Sequence, residues 1–472
     1  MKSTVPFQDV KLEVVSTNLR RNRTVQREIS AILGKGKVVL QETGRAVTPY
    51  GGMAVMVEYL KKIGYAEQLR QAMPIESKSP NAIPPVDIYT AFLVAVLAGA
   101  RRFAHASRLR GDRGLHLLLG IKRFPTDDTV RNLFKKFTQR MVYEFYSVMW
   151  GWQIARLPER DGGYSLDLDS TVFERYGHQQ GALKGHNPRK HGRPSHHPLL
   201  AVLAEVHFVL HGWLRSGNCG TARGVVEFLK EALAQLNGSQ SIRVVRADSG
   251  FFDEKLLEFL EQRELSYIIV ARMTRWLKSA AARVREWRQL DENYAVGEFQ
   301  LTLSTWTRQR RFVVVRERIR EPKGAVGRKL FDVPGYTFRL FVTNRSEAPE
   351  ELWRDYNQRA TMENRIAELK YDLAADDFCL HEFFATEAAF MAILMLFNLL
   401  GEMQRMSGMK QYRRPATLRT EVFLCGAILG RSGHRQVLHL SKDWGGLGER
   451  NSLMNEILAY AFPTSPKLTS TA

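Results

Sequence analysis

Tyr164-Ser165-Leu166-Asp167-Leu168-Asp169 alternates side-chain character residue by residue, the period of a half-buried β-strand. Upstream, from about 47 to 160, apolar residues recur at helical spacing instead. Downstream, 197–214 predicts two strands joined by a turn and 222–236 a helix. Residues 242–248 (IRVVRAD) read as a strand of low polarity, as suits a centre strand covered on both faces. A helix over 253–262 and a strand over 267–272 follow. Strands and helices alternating in this way fit a mixed α/β sheet.

Outward from this block the texture changes twice. Thr126 and Asp127 offer a cap, and Val130, Leu133, Phe134, Phe137, Met141, Phe145 and Val148 then predict one long amphipathic helix. On the other side, 273–333 carries Arg-rich and aromatic strands, including 298–306 and 311–317, and reads as an insertion. Strand texture resumes at 337–343, a strong helix is expected over 355–373, and the region beyond 374 reads as mostly helical. The apolar runs 388–400 and 91–100 are shorter than the ~20 residues a bilayer span needs, and are read as buried helices with no membrane expected.

The chain has 472 residues, 44% of them hydrophobic, so a sizeable core can form. Its 69 Lys+Arg against 49 Asp+Glu leave a net charge of +20, a field that attracts polyanions, nucleic acid foremost. Residues 1–45 are basic, with the cluster Arg20, Arg21 and Arg23, and ten Lys/Arg against three Asp fall between Arg101 and Lys136. Residues 1–160 are therefore expected to be a basic helical region that binds DNA, in the manner of helix-turn-helix modules. Three scattered cysteines, Cys219, Cys379 and Cys425, argue against a disulfide framework and against a zinc site. A reducing cytoplasm fits them, and the polar first ten residues hold no signal-peptide core.

Three carboxylates stand out. Asp169 ends the alternating strand, with Asp167 on the same face two residues before it, so either could be the one presented. Asp248 ends the strand 242–248 ahead of Ser249-Gly250, while Asp253 is free to cap the following helix. In the helix over 355–373, Tyr356, Arg359, Glu363 and Lys370 fall on one stripe, and Met362, Ile366, Leu369 and Leu373 on a neighbouring apolar one. One stripe can dock on the sheet and leave the other for chemistry. Carboxylate oxygens brought together from separate elements are the ligands that hard divalent cations take, and two such cations can stabilise both oxygens of a phosphodiester transfer.

Tyr356-x2-Arg359-x3-Glu363-x6-Lys370 resembles the Tyr-Arg-Glu-Lys signature of a large group of bacterial insertion-sequence transposases. The contexts of Asp169 (DST) and Asp248 (RADSGF) resemble those of that group's two aspartates, in the same order. The resemblance spans about 164–400. It implies the DDE class and an RNase H-like mixed sheet with a β-strand insertion: a catalytic domain over 161–272 and 334–400, inserted strands over 273–333, and a helical C-terminal region over 401–472. It also implies binding of terminal inverted repeats, cleavage at element ends and joining of 3' ends to target DNA, by a homodimer on double-stranded DNA at the bacterial nucleoid. Asp169, Asp248 and Glu363 would hold two Mg²⁺ (or Mn²⁺) ions, with Tyr356, Arg359 and Lys370 on phosphates near the cut. A Trp of the inserted strands would stack on a flipped base. Trp306, beside Arg308, Arg310 and Arg311, is the first candidate, with Trp276 and Trp287 competing.

The segment 176–198 adds Lys184, Arg189, Lys190 and Arg193, with His178, His186, His191, His196 and His197. No helical ligand spacing or cysteine accompanies the histidines, so the expectation is a basic loop along DNA backbone. Competing readings are a metal nuclease on the same fold, a DNA-binding regulator without catalysis, and a two-carboxylate glycosidase, which the charge makes remote.

Overall fold

Nine strands of the unit Val47–Ala472 share one sheet, which we number in chain order. They are β1 Tyr164–Ser170, β2 Leu199–Leu203, β3 Phe208–Trp213, β4 Ile242–Ala247, β5 Tyr267–Val270, β6 Arg288–Gln289, β7 Tyr294–Leu301, β8 Arg310–Arg318 and β9 Tyr336–Thr343. Their spatial order is β6-β7-β8-β9-β5-β4-β1-β2-β3. The meander β1-β2-β3 is antiparallel, β4 lies parallel to both β1 and β5, and β9, β8, β7 and β6 continue antiparallel from β5. The computed structural model that gives this fold describes residues 27–33, 35–77, 79–185, 187, 190–236, 240–318, 336–442 and 447–461. The cluster Arg20, Arg21 and Arg23 and the loop residues His186 and Arg189 lie outside them.

The strands expected as an inserted module are hydrogen-bonded into the main sheet. β8 pairs with β9 over eight registered positions, Arg311↔Thr343 to Arg318↔Tyr336, so 288–318 widens the sheet rather than standing apart. The reason is visible in Phe312, Val313 and Val314, which are fully buried. Consecutive apolar residues point to opposite faces of a strand, so this run needs cover on both.

The long helix expected from Thr126 is two helices. Thr126 caps Asp127–Phe134 as predicted, its hydroxyl accepting from Thr129 N at 3.2 Å. Thr138 then offers a second cap, accepting from Met141 N at 3.3 Å, and Gln139–Ile154 starts anew. A hydroxyl able to satisfy a free N–H competes with helix continuation.

The regions expected to be helical at both ends also contain strands. Val47–Thr48 pairs with Ala427–Ser432, which turns through Gly433 (φ 58°) and pairs with Arg435–Leu440. In the separate unit Met1–Ala46, Arg27–Ser30 and Lys37–Leu40 form an antiparallel hairpin. Ile29, Val38 and Val39 in those runs favour extended backbone over helix.

The apolar run at 388–400 belongs to a longer helix, Phe383–Met406, of 24 residues. By length and composition it could cross a membrane, yet 83% of its most apolar window is buried inside the fold. It covers β3 and the helix Gln139–Ile154. Asn398 accepts from Val209 N at 2.7 Å and donates to Val209 O at 2.9 Å, beside the register shift between β2 and β3. Trp150 Nε1 donates to the same carbonyl at 2.8 Å. Gly212 lets the helix pack close, since a Cβ there would push against the tip of the Leu394 side chain. Each fully buried Leu, Ile, Phe or Met on this helix contributes about 1.5–3 kcal/mol.

Candidate active site

β1 and β4 run parallel with Leu168 beside Ala247, so Asp169 and Asp248 leave the two strands side by side. Asp169 is almost buried. Its Oδ1 accepts from Ser170 N at 2.7 Å and its Oδ2 lies 3.0 Å from Arg359 Nη2. Burial pushes this carboxyl up, Arg359 pulls it down and neighbouring Asp248 pushes it up again, leaving it at about 6. Asp248 is extended and caps the short turn Ser249–Phe251, accepting from Gly250 N at 2.9 Å. Asp253 caps the helix Glu254–Gln262, as its position predicts.

Asp167 has another role. It pairs across the strands with Arg246, its register neighbour, through Arg246 Nε–Oδ1 at 2.6 Å and Nη2–Oδ2 at 2.9 Å. Both side chains are 1% exposed, so of the two aspartates only Asp169 reaches open space. Arg243 and Arg246 are the polar content that a reading of β4 as an apolar strand overlooks. They bind Asp355, with Arg243 Nη1–Oδ2 at 2.6 Å and Arg246 Nη1–Oδ1 at 3.1 Å, and so pin the following helix to the sheet. Burial raises the Asp355 carboxyl, but hydrogen bonds from Arg243 and Arg345 outweigh it and hold it at about 2.

That helix is irregular. Pro349–Asn357 runs into a 3-10 turn at Gln358–Ala360, then Thr361–Ala367, then a π-helical turn at Glu368–Asp372. The stripe expected on one face is therefore divided between roles. Tyr356 is buried, with its ring 4.7 Å from that of Phe341. Arg359 is buried too, donating from Nη2 to Leu168 O at 2.8 Å beside its contact with Asp169. Glu363 is exposed and Lys370 half-buried, and both line the cleft over Asp169 and Asp248. Lys370 Nζ donates to Val172 O at 2.9 Å.

The cleft measures about 860 Å³. Asp169, Asp248 and Glu363 all line it, but among the described residues no three His, Cys, Asp or Glu side chains are gathered closely enough to hold an ion. Sequence reasoning missed Thr221, Asp376 and Arg102, which also line it. It counted His197 only as part of a basic loop, yet His197 lines the cleft, with Nε2 3.1 Å from Ser170 Oγ and Nδ1 donating to Cys219 O at 2.7 Å. Only its place just ahead of β2, which pairs with β1, marked it in the sequence.

The segment 176–198 is not an open loop throughout. Phe173–Glu174, Pro194–His196 and Leu183–Lys184 form a small sheet. Lys184 is exposed on it. Lys190 is paired with Glu174 at 2.9 Å and with the Tyr176 hydroxyl at 2.8 Å, and Arg193 lies over the Tyr176 ring at 4.6 Å. His196 is buried, accepts from Arg175 Nε at 3.0 Å, and is pushed down to about 4 by burial and by Arg175.

Trp306 is half-buried, packed against the edge of the core. It stacks on Phe312 at 5.8 Å, meets Phe252 at 5.3 Å and carries Arg310 over its ring at 4.7 Å. Trp287 is covered by Arg316 at 4.2 Å. Trp276, on the helix Arg275–Ala282, is 71% exposed.

Comparison with known proteins adds three findings. A solved structure titled as a cryo-EM structure of a piggyBac transposase synaptic complex with hairpin DNA matches 81% of this chain and 83% of its own, at 13% identity and a TM-score of 0.42. No curated protein matches. A family model described as transposase DDE domain group 1 matches residues 30–459, nearly the whole length, and the chain belongs to that transposase family.

Proposed function

We propose that this chain is the transposase of a bacterial insertion sequence, one that binds terminal inverted repeats, cuts at the element ends and joins the 3' ends to target DNA. The observation that carries the reading is the pair Asp169 and Asp248 on adjacent parallel strand ends, with Glu363 lining the same cleft. The order β3-β2-β1-β4-β5, an antiparallel meander followed by two parallel strands, supports an RNase H-like core. The spacing of Tyr356, Arg359, Glu363 and Lys370 supports the Tyr-Arg-Glu-Lys group.

The donor set fits hard divalent cations, Mg²⁺ or Mn²⁺, because all three candidate ligands are carboxylates. Asp169 and Asp248 are close enough for their charges to oppose each other, and a cation between them would relieve that repulsion. When bound, two such ions would stabilise the attacking and leaving oxygens of a phosphodiester. Arg359 holds Asp169 in place, Lys370 supplies positive charge at the cleft, and Lys184, Arg189, Lys190 and Arg193 would meet DNA backbone beyond it. A homodimer on DNA follows from the need to bring two ends together, and a cytoplasmic, nucleoid-associated site of action from the DNA substrate.

The test is purified protein with Mg²⁺ and a labelled duplex bearing the element's terminal repeats. Wild type should cut at the repeat ends and Glu363→Gln should not. Equal cutting by Glu363→Gln overturns the ligand assignment, and equal cutting of unrelated duplexes favours a metal nuclease without strand transfer.

A further inference from the structure

A cleft floored with carboxylates repels the phosphates it has to admit, so cations at its mouth are needed to offset the repulsion. Lys370 is one. Arg175 also lines it but is buried and turned to His196 and to the Asp376 carbonyl. A third comes from far earlier in the chain: Arg102, which lines the same cleft as Asp169, Asp248 and Glu363.

Its placement follows from its neighbours. Arg101 Nε lies 2.9 Å from Asp377 Oδ2, and Asp377 also lines the cleft. Phe103 is buried, its ring 5.2 Å from Phe378 and 5.8 Å from Phe92. Both flanking residues are thus fastened to the segment just beyond the π-helical turn. Arg102 between them is extended (φ −144°, ψ 153°), exposed and, among the described residues, without an ion-pair partner. Arg131 shows the contrast: it lies in the same basic region but is held by Asp127 at 2.7 Å and Asp128 at 2.9 Å. A guanidinium kept free beside two pinned neighbours is placed to take a ligand of the opposite charge, and its fork matches phosphate oxygens.

We propose that Arg102 binds a backbone phosphate of the DNA strand entering the cleft, making the helical region a wall of the active site. The inference rests on reading the cleft as the DNA-cutting site. Its test is therefore split between binding and cutting. Affinity for a duplex carrying the terminal repeat is measured at a series of KCl concentrations without divalent metal, for wild type, Arg102→Ala, Arg102→Lys and the exposed control Arg140→Ala. Loss of one phosphate contact should make the plot of log affinity against log salt shallower by about 0.9 in Arg102→Ala. Binding should weaken about tenfold. Arg102→Lys should restore the slope, and Arg140→Ala should match wild type. With Mg²⁺, Arg102→Ala should lose kcat/KM for end cleavage while kcat at saturating DNA stays near wild type. An Arg102→Ala slope equal to that of Arg140→Ala overturns the inference even if wild type cuts normally. A shallower slope with no cutting by wild type upholds the contact and sinks the cutting reading instead.

Discussion

Arg359 Nη2 sits 3.0 Å from Asp169 Oδ2 and 2.8 Å from Leu168 O, so one guanidinium nitrogen ties the helix after β9 to the end of β1. The contact keeps a nearly buried carboxylate charged. Replacing Arg359 with Gln leaves that charge unpaired, at a cost of about 3–5 kcal/mol. The loss should appear at pH 8 in urea unfolding and shrink at pH 5, where Asp169 takes up a proton. An equal loss at both pH values would show that Arg359 acts through packing alone.

Asp169 also sets a pH signature of its own. Its folded value of about 6 lies above the ordinary carboxylate value, so the folded state binds more protons than the unfolded one in between. Full stability from this group is present below about 4 and is lost as pH rises through 6. Relative to Asp169→Asn, metal-free wild type should therefore lose about 1–3 kcal/mol between pH 4 and pH 7. Parallel stability curves for the two proteins would contradict this.

Mg²⁺ or Mn²⁺ should raise the thermal midpoint of wild type in a concentration-dependent way, because a ligand of the folded state stabilises it by mass action. Asp169→Asn and Asp248→Asn should respond weakly or not at all. A midpoint that ignores both ions would show that these carboxylates hold no cation in the absence of DNA.

Asp167 and Asp169 should fail differently. Asp167→Asn weakens a buried pair with Arg246 and should lower stability by roughly 3–5 kcal/mol, while the protein that remains folded still cuts. Asp169→Asn should leave a folded protein that does not. The two are separated by measuring cleavage per mole of folded protein.

The tryptophans give a similar contrast. Trp306→Ala removes a ring packed on Phe312 and Phe252 and should cost about 3 kcal/mol. Trp276→Ala should change stability by less than about 0.5 kcal/mol, being exposed, and should weaken binding to DNA ends if a ring of this region stacks on a base. Weaker end binding in Trp306→Ala than in Trp276→Ala, with the fold intact, would reverse that choice.

The strands β1 and β4 were legible because alternation and low polarity are local properties, and each carries its aspartate at the terminus. The stripe of Tyr356, Arg359, Glu363 and Lys370 was legible only as spacing. The 3-10 and π turns that divide it leave no mark in that spacing, and Asp355, which docks the helix, is held by Arg243 and Arg246 from a distant strand. Arg102 was hidden for the same reason, since nothing near it in the chain points to Asp377 or Phe378. The surroundings of Trp306 were not legible, because flanking arginines look alike whether they cover a ring, as Arg310 does, or meet a phosphate. The hairpin at 427–440 was missed where its short runs carried Gly433 and little burial to set their period.

The pairing of Val47–Thr48 with Ala427–Ile428 has a consequence for synthesis. Translation at about 5–20 residues per second separates those two segments by roughly 20–80 seconds. Until the second emerges, Val47 and Thr48 lack their strand partner, and until the helix Phe383–Met406 emerges, the apolar face of β3 stays open to water. The early helices of the nascent chain must wait, partly assembled, for its last quarter. Premature termination ahead of Ala427 should thus release an aggregating fragment rather than a shortened working protein.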